Sequence, residues 1–158
     1  YDVEEPGFKC NMTDIQAAIG LIELGRYQEN LDRRKAIFTA YDNAFSTYNW
    51  AQIPVYQDEQ KTSSYHLYQL RINNCTEAQR DAIIQAIFDH DVAVNVHFQP
   101  LPLLTAYKNL GYDIADFPNA LDNYSREISL PVYYDLNDEQ VATVIEAVCA
   151  SVHQILGM

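Results

Sequence analysis

The sequence predicts an α/β fold in which about three strands are covered by helices and preceded by a long helical arm. Three observations support this prediction. Helix-start signals occur at three places, and each is followed by apolar residues at helical spacing. Short segments of alternating apolar and polar residues, typical of half-buried strands, lie between the later helices. With 158 residues, of which 48% are hydrophobic, the chain can fill one core.

The first helix is predicted to begin after Thr13, which forms a capping box with Gln16. In such a box each side chain accepts a hydrogen bond from the other residue's backbone N–H. Residues 15–24 are apolar on nearly all sides, which is typical of a buried helix. Gly25 permits a bend, after which a more polar helix is expected to run to about Phe45.

The second half of this arm has one apolar face, because Ile37, Tyr41 and Phe45 recur every four residues. The segment 48–64 is predicted to be a loop. A strand follows at 67–72, where alternate side chains point to opposite faces. One face is expected to carry Tyr68, Leu70 and Ile72, and the other Leu67, Gln69 and Arg71.

A second capping box, Thr76 with Gln79, predicts a helix whose apolar stripe consists of Ile83, Ile84, Ile87 and Phe88. The next segment, VAVNVHF at 92–98, predicts another strand. Its core face is expected to carry Val92, Val94, Val96 and Phe98, and its polar face Ala93, Asn95 and His97.

The last part of the chain is predicted to contain a long proline-rich loop, a short strand and a helix. The strand is ISLPV, in which Ile128, Leu130 and Val132 share a face. Asn137 is expected to cap the final helix, in which apolar residues recur at helical spacing from Val141 onward.

The charge of the chain excludes a general nucleic-acid surface. Its 22 acidic residues outnumber 10 basic ones, giving a formal net charge of -12. A protein surface that replaces the counterions of a nucleic acid or binds an anionic bilayer needs clustered Lys and Arg, which this sequence does not contain. No apolar run reaches the roughly 18 residues of a membrane-spanning helix. We therefore expect neither a nucleic acid nor a membrane as partner.

The cysteines indicate neither a disulfide framework nor a metal site. Cys10, Cys75 and Cys149 are odd in number and widely spaced, without a C-x-x-C pair or a histidine at metal-ligand spacing. A reducing cytoplasm is the location that this pattern favours. Generic catalytic motifs such as a phosphate-binding glycine loop or G-x-S-x-G are also absent from the sequence.

Several separated motifs resemble one enzyme family. The segments GFKCNMTDIQAAIGLIELGRYQENLDRRKAIFTAYDNAF, SSYHLYQLRI, VNVHFQPLPLLTAY and ISLPVYYDLNDEQVATVIEAV occur along the chain in this order. In order and spacing they are similar to the C-terminal part of the DegT/DnrJ/EryC1/StrS sugar aminotransferases. The resemblance extends over essentially the whole chain.

The resemblance implies the C-terminal small domain of the aspartate-aminotransferase fold of pyridoxal-phosphate enzymes. Residues 1–47 would be the helical arm and the end of the large cofactor domain, and residues 48–158 the small α/β domain. The resemblance further implies an enzyme, usually a homodimer, that transfers an amino group from glutamate to a keto-sugar on a nucleotide diphosphate, in the synthesis of surface polysaccharides and glycans. In this family the Schiff-base lysine precedes the region that is similar to this chain, which by itself is expected to be catalytically silent.

The same resemblance implies a cofactor contact at Asn11. In similar enzymes the residue before Met-Thr-Asp reaches across the dimer interface to the phosphate of the neighbour's pyridoxal phosphate. An amide N–H beside a helix N-terminus is well suited to an anion. The alternative is that Asn11 only shapes the turn before the helix, as asparagine often does.

Three further residues are expected near the nucleotide sugar. His97 corresponds to the histidine of a family His-aromatic pair, and Phe98 stands where tyrosine is frequent in the family. His66, in SYHLY, is family-like and is expected to orient the sugar or a loop. No residue of this chain is expected to be catalytic, and none to bind a metal.

Two alternatives to the aminotransferase remain open at this stage. One is a non-catalytic dimerisation or regulatory module that associates through the helix at residues 15–24. The other is a pyridoxal-phosphate-dependent sugar dehydratase, because some members of the family replace the Schiff-base lysine with histidine.

Overall fold

The computed structural model describes residue 8 and residues 10–157. It contains helices α1 to α5, strands β1 to β3 and two short 3-10 turns, at Leu101–Leu103 and Ile114–Asp116. In chain order the elements are α1 (Asp14–Phe45), β1 (Ala51–Gln52), β2 (Tyr68–Ile72), α2 (Glu77–Phe88), α3 (Thr105–Asn109), α4 (Pro118–Arg126), β3 (Glu127–Leu130) and α5 (Asp138–Leu156).

The strands form one antiparallel sheet in the order β1-β2-β3. Ala51 of β1 lies opposite Ile72, and Tyr68 of β2 lies opposite Leu130 of β3. The predicted α/β class with about three strands is therefore confirmed. The two-residue strand β1 lies inside the segment 48–64 that the sequence predicted to be a loop.

The hydrophobic core lies on one face of this sheet. Alternation along β2 buries its first, third and fifth residues, as the sequence predicted. Helices α1, α2 and α5 cover this face, and the largest buried apolar side chains are Phe38, Tyr41, Phe45, Tyr68, Leu70, Ile72, Ile83, Ile87, Ile128 and Val148. Because β2 contributes its apolar residues to the core, its other side chains point to the opposite face.

Local capping determines where the three long helices begin. Thr13 with Gln16 and Thr76 with Gln79 form the two predicted capping boxes, with side chain and backbone bonded in both directions. Asn137 caps α5 as predicted, and its box partner is Gln140. Each box satisfies two backbone N–H groups that the first turn of a helix leaves unpaired.

The helical arm differs from its prediction in two ways. Helix α1 is continuous for 32 residues and passes through Gly25 without interruption. Its first half is exposed: Ile15 is 75% and Leu21 72% accessible, and among residues 14–29 only Ala17 is partly covered. The prediction that residues 15–24 are buried is therefore wrong for this chain alone, because α1 projects beyond the elements that could cover it.

The second half of α1 is attached to the rest of the chain by polar as well as apolar contacts. Arg33 donates to the carbonyl of Leu136 at 3.0 Å and pairs with Asp138 at 2.7 Å. The hydroxyl of Tyr41 donates to the carbonyl of Pro131 at 2.9 Å. These bonds join α1 to the segment between β3 and α5.

The predicted strand at 92–98 is not formed. Only Asn95 bridges to the sheet, exchanging backbone hydrogen bonds with Ser129 of β3 at 3.2 and 2.7 Å. Val92 is buried, but Phe98, which was expected on the same core face, is 75% exposed. The physical reason is that side chains, instead of a neighbouring strand, bond the backbone of His97.

The segment predicted to be a long loop after Pro100 contains two helices, α3 and α4, before it reaches β3. Pro118 at the first position of α4 suits a helix start, because its missing N–H would be unpaired there in any case. In α2, Phe88 is 62% exposed although it belongs to the predicted apolar stripe. Over the residues described, no helix combines the length and apolar content that a membrane span would need.

Candidate functional site

A pocket of about 490 Å³ opens on the face of the sheet opposite the core. It lies between β2, α4, the segment around His97 and the first residues of the loop that follows β1. Its wall consists of Pro54, Val55, Gln69, Arg71, His97, Phe98, Pro100, Ala120, Asn123, Tyr124 and Glu127. Polar and apolar side chains thus meet in one concave surface, which is typical of small-molecule sites.

The alternation of β2 places two polar side chains in this wall. Because Tyr68, Leu70 and Ile72 point into the core, Gln69 and Arg71 point into the pocket. The guanidinium of Arg71 donates to the side-chain oxygen of Asn123 in α4. This bond holds the cationic group at the junction between the sheet and α4.

His97 is held at the pocket by both of its backbone polar groups. Its N–H donates to Oε2 of Glu127 at 2.9 Å, and its carbonyl accepts from Nε2 of Gln69 at 2.8 Å. The imidazole meets the ring of Phe98 edge to face, with ring centroids 4.6 Å apart. Its Nδ1 is buried without a hydrogen-bond partner in the part of the chain that the structure describes. A ligand hydroxyl could satisfy this atom.

Glu127 is the buried acid beneath the pocket, with only 4% of its surface exposed. Burial raises the pKa of its carboxyl above the usual range. Hydrogen bonds from the Ser129 hydroxyl and the His97 N–H, and the charges of His97 and Arg80, oppose this rise. The carboxylate therefore has directed donors on both oxygens although it is removed from water.

A buried arginine supports the same region from below. Arg80 of α2 is 1% exposed, pairs with Asp81 at 2.7 Å and donates to the carbonyl of Glu127 at 3.1 Å. Its guanidinium also lies over the ring of Tyr124, 4.9 Å from the centroid. These contacts connect α2 to the end of α4 and the start of β3, where Glu127 lies.

The structure brings together two of the four residues that the sequence singled out. His97 and Phe98 both line the pocket. His66 is exposed, lies just before β2 and is not part of the pocket wall. Asn11 is exposed just before α1, and the first residue of that helix, Asp14, lies 15 positions before Glu29, where Tyr134 contacts the helix. At about 1.5 Å per helical residue the helix start is roughly 22 Å from Glu29.

Gln69, Arg71 and Glu127 were not predicted as site residues. The alternation of β2 placed Gln69 and Arg71 on the face opposite the core, and that is the signal by which they could have been found. Glu127 gave no such signal, because it begins a strand in which all four residues are buried.

Asn11, the expected contact to the cofactor phosphate, has a side chain without a partner among the described residues. It is exposed, and Thr13 and Gln16 bond each other instead of Asn11. Its amide N–H groups are thus available to an anion next to the positive end of α1.

The lysines Lys35, Lys61 and Lys108 are all exposed, and Lys61 pairs with Asp58 at 3.4 Å. Across the described range, no three His, Cys, Asp or Glu side chains are placed to hold a metal ion.

Comparison with known proteins identifies relatives along the whole chain. Residues 1–149 match the sequence model of the DegT/DnrJ/EryC1/StrS aminotransferase family. The spore coat polysaccharide biosynthesis protein SpsC of Bacillus subtilis is 39% identical over 151 residues, which are 94% of this chain and 39% of SpsC. A Campylobacter jejuni protein named UDP-4-amino-4,6-dideoxy-N-acetyl-β-L-altrosamine transaminase is 27% identical over 136 residues, covering 86% of this chain and 36% of that protein.

A solved structure gives the same result. Spr1654 of Streptococcus pneumoniae, assigned as a sugar aminotransferase, superposes in its apo form with a TM-score of 0.90 and 41% identity. The superposition covers 99% of this chain and 39% of Spr1654. Spr1654 has also been solved with pyridoxal phosphate and with pyridoxamine phosphate. The chain thus spans about two fifths of the length of the proteins it resembles.

The buried carboxyl of Glu127 predicts a pH-dependent stability. Because its pKa is raised in the folded protein, the native state binds a proton more readily than the unfolded state. The contribution of this group to stability therefore falls as the pH rises from the ordinary glutamate pKa, near 4.5, through the raised pKa of the native state. In urea denaturation at several pH values, wild type should gain stability relative to Glu127→Gln as the pH falls through that window. Glu59→Gln provides the control for an exposed position, and parallel pH curves for wild type and Glu127→Gln would contradict this account.

Proposed function

Because the chain belongs to the DegT/DnrJ/EryC1/StrS aminotransferase family, we propose that it forms part of a pyridoxal-phosphate-dependent sugar aminotransferase. The reaction would transfer an amino group from glutamate to a keto-sugar carried by a nucleotide diphosphate. The chain would supply the helical arm and the small domain, as residues 1–47 and 48–158. The observation that carries this proposal is the pocket around His97, a polar and aromatic cavity in a chain of this family.

The relatives support the substrate class. The Campylobacter protein is named for a UDP-linked amino-sugar, and SpsC for the synthesis of spore coat polysaccharide. By analogy the product of this enzyme would be an amino-sugar for a surface polysaccharide or glycan. A cytoplasmic location is part of the proposal, and the three unpaired cysteines are in keeping with it.

The composition of the pocket suits a nucleotide sugar. Phe98 and Val55 offer apolar surface to a sugar ring, and Asn123 offers an amide to its hydroxyl groups. The buried Nδ1 of His97 would exchange a hydrogen bond with one of those hydroxyls. Arg71 places a positive charge in the same wall, although the chain as a whole carries a net charge of -12. Such a cation is complementary to a diphosphate.

Pyridoxal phosphate, when bound, supplies the electron sink that makes amino-group transfer possible. The contribution of this chain to holding it would be Asn11, whose amide would donate to the cofactor phosphate. His97, Phe98 and the pocket wall would bind and orient the sugar. His66, outside the wall, would contact the sugar or a neighbouring loop less directly.

The geometry of the arm favours a site shared between two copies of the chain. Asn11 precedes α1, whose first residue lies roughly 22 Å along the helix from Glu29, and the pocket lies on the sheet face opposite the one that α1 covers. We therefore assign Asn11 and His97 of one chain to different active sites of a homodimer. The exposed apolar side chains in the first half of α1 would be covered in that assembly; they are Ile15, Ile19, Leu21, Ile22 and Leu24.

The proposed activity predicts specific kinetic effects of two histidine substitutions. The enzyme of which this chain forms part, purified with pyridoxal phosphate, should convert 2-oxoglutarate and UDP-4-amino-4,6-dideoxy-N-acetyl-β-L-altrosamine into glutamate and the keto-sugar, the reverse of the proposed direction; this chain by itself is expected to be silent. His97→Ala should lower kcat/KM for the sugar by roughly 10- to 100-fold, since a lost hydrogen bond and ring contact cost about 1.5 to 3 kcal/mol. His66→Ala should cost less than about tenfold because this side chain lies outside the pocket wall. Glutamate production, measured with a coupled dehydrogenase, reports both values, and absence of turnover in the whole wild-type enzyme that contains this chain would refute the proposal.

Asn11 predicts a separate effect on cofactor affinity. Asn11→Ala removes a charge-assisted hydrogen bond of about 1.5 to 3 kcal/mol, so pyridoxal phosphate should bind roughly 10- to 100-fold more weakly. The fold should be retained because Thr13 and Gln16 still cap α1. Asn11→Arg restores a donor and should recover part of the affinity. Titration of the apo form of the whole enzyme that contains this chain measures all three affinities; unchanged affinity together with a lower melting temperature for Asn11→Ala would make Asn11 a turn residue only.

A further inference from the structure

We propose that Gln69 and Glu127 are positioning residues that hold the backbone of His97 and thereby aim its imidazole into the sugar pocket. This inference rests on the proposed function, because it takes the sugar to be the ligand that His97 meets. It concerns two residues of the sheet that contact His97 only through its main chain.

The sheet register places the two side chains side by side on one face. Gln69 lies opposite Ser129, and Arg71 lies opposite Glu127. Residues opposite each other in an antiparallel pair share a face, so Gln69 and Glu127 are diagonal neighbours across β2 and β3. Their polar ends are therefore close enough to bond the N–H and the carbonyl of a single residue.

The two side chains replace the strand pairing that the sequence predicted for this segment. Asn95 pairs with Ser129 through its backbone, but two residues later both polar groups of His97 bond side chains instead. The chain thereby leaves the sheet at His97, and the imidazole and the ring of Phe98 line the pocket together. A residue whose N–H and carbonyl are both hydrogen-bonded has little freedom in its backbone dihedral angles.

The environment of Glu127 is specialised for this contact. One carboxylate oxygen accepts from His97 N–H, and the other accepts from the Ser129 hydroxyl. The charged groups that face it are Arg80 from α2 below, His97 from the segment above and Arg71, its cross-strand neighbour in β2. Burial of this carboxyl opposes its ionisation, and the hydrogen bonds to its two oxygens offset this cost only in part. A role in holding His97 explains the placement.

The decisive experiment compares the effect of Gln69→Leu in wild type and in His97→Ala. The protein is the whole enzyme that contains this chain, and the probes are the UDP-linked amino-sugar of the Campylobacter relative and 2-oxoglutarate. In wild type, Gln69→Leu should raise KM for the sugar about tenfold, as expected for one lost orienting interaction, and leave KM for 2-oxoglutarate unchanged. In the His97→Ala background the same change should have no further effect, because the group that it orients is already missing.

Conservative and control variants separate positioning from a general structural role. Glu127→Gln keeps an oxygen that can accept from His97 N–H, so KM for the sugar should stay within about threefold of wild type. Glu127→Ala removes this acceptor and should raise KM for the sugar as much as Gln69→Leu does. Gln60→Leu, at an exposed loop glutamine, is the matched control and should change neither KM. Additive effects of Gln69→Leu and His97→Ala, or an unchanged sugar KM in Gln69→Leu, would overturn the inference.

A second measurement tests the contact without turnover. Hydrogen exchange of the peptide that contains residues 92–100 should be faster in Glu127→Ala than in wild type, because the His97 N–H loses its acceptor. Equal exchange rates would overturn the inference whatever the kinetics show. A protein that exchanges as expected but has no transaminase activity would instead refute the proposed function. Full activity in His97→Ala would overturn the inference alone and leave the transaminase assignment intact.

Discussion

The structure depends on the packing of the second half of α1 against β2. Phe38 and Tyr41 each lie with their ring centroids 5.0 Å from that of Tyr68. Asp42, the residue after Tyr41 in α1, accepts hydrogen bonds from the hydroxyls of Tyr68, at 2.8 Å, and Tyr56. Burial and the bond to Asp42 raise the pKa of Tyr56 to about 12, and the same two causes raise the pKa of Tyr68. Both hydroxyls therefore remain protonated donors over the physiological pH range. This aromatic cluster fixes the arm relative to the sheet.

The arrangement of the site follows from this packing. With α1, α2 and α5 on one face of β2, the other face is left for the pocket, and the alternation of a strand places Gln69 and Arg71 there. The same packing leaves the first half of α1 exposed, with Asn11 just before the start of the helix. One helix therefore separates a candidate cofactor contact from a candidate sugar pocket, which we propose to belong to different sites of a homodimer.

Features determined by local interactions could be predicted from the sequence. The caps at Thr13, Thr76 and Asn137 and the buried face of β2 depend on neighbours within a few residues, and all were confirmed. The predictions for residues 15–24 and 92–98 were wrong because they depend on what lies opposite: nothing in the described chain covers the first helix half, and side chains compete for the backbone of His97. The placements of Asn11, His97, Phe98 and His66 as site residues came from family resemblance, and their roles remain proposals.

The central claim is that Asn11 and His97 of one chain serve different active sites of a dimer. It is tested most directly by mixed dimers in which one chain carries Asn11→Ala and the other His97→Ala, purified through two different tags. If the two residues serve different sites, one site of each mixed dimer combines both substitutions and the other has neither. At limiting cofactor and sugar, such dimers should then recover about half of the wild-type activity. Mixed dimers no more active than either parent homodimer would contradict the account, because both residues would then belong to one site of one chain.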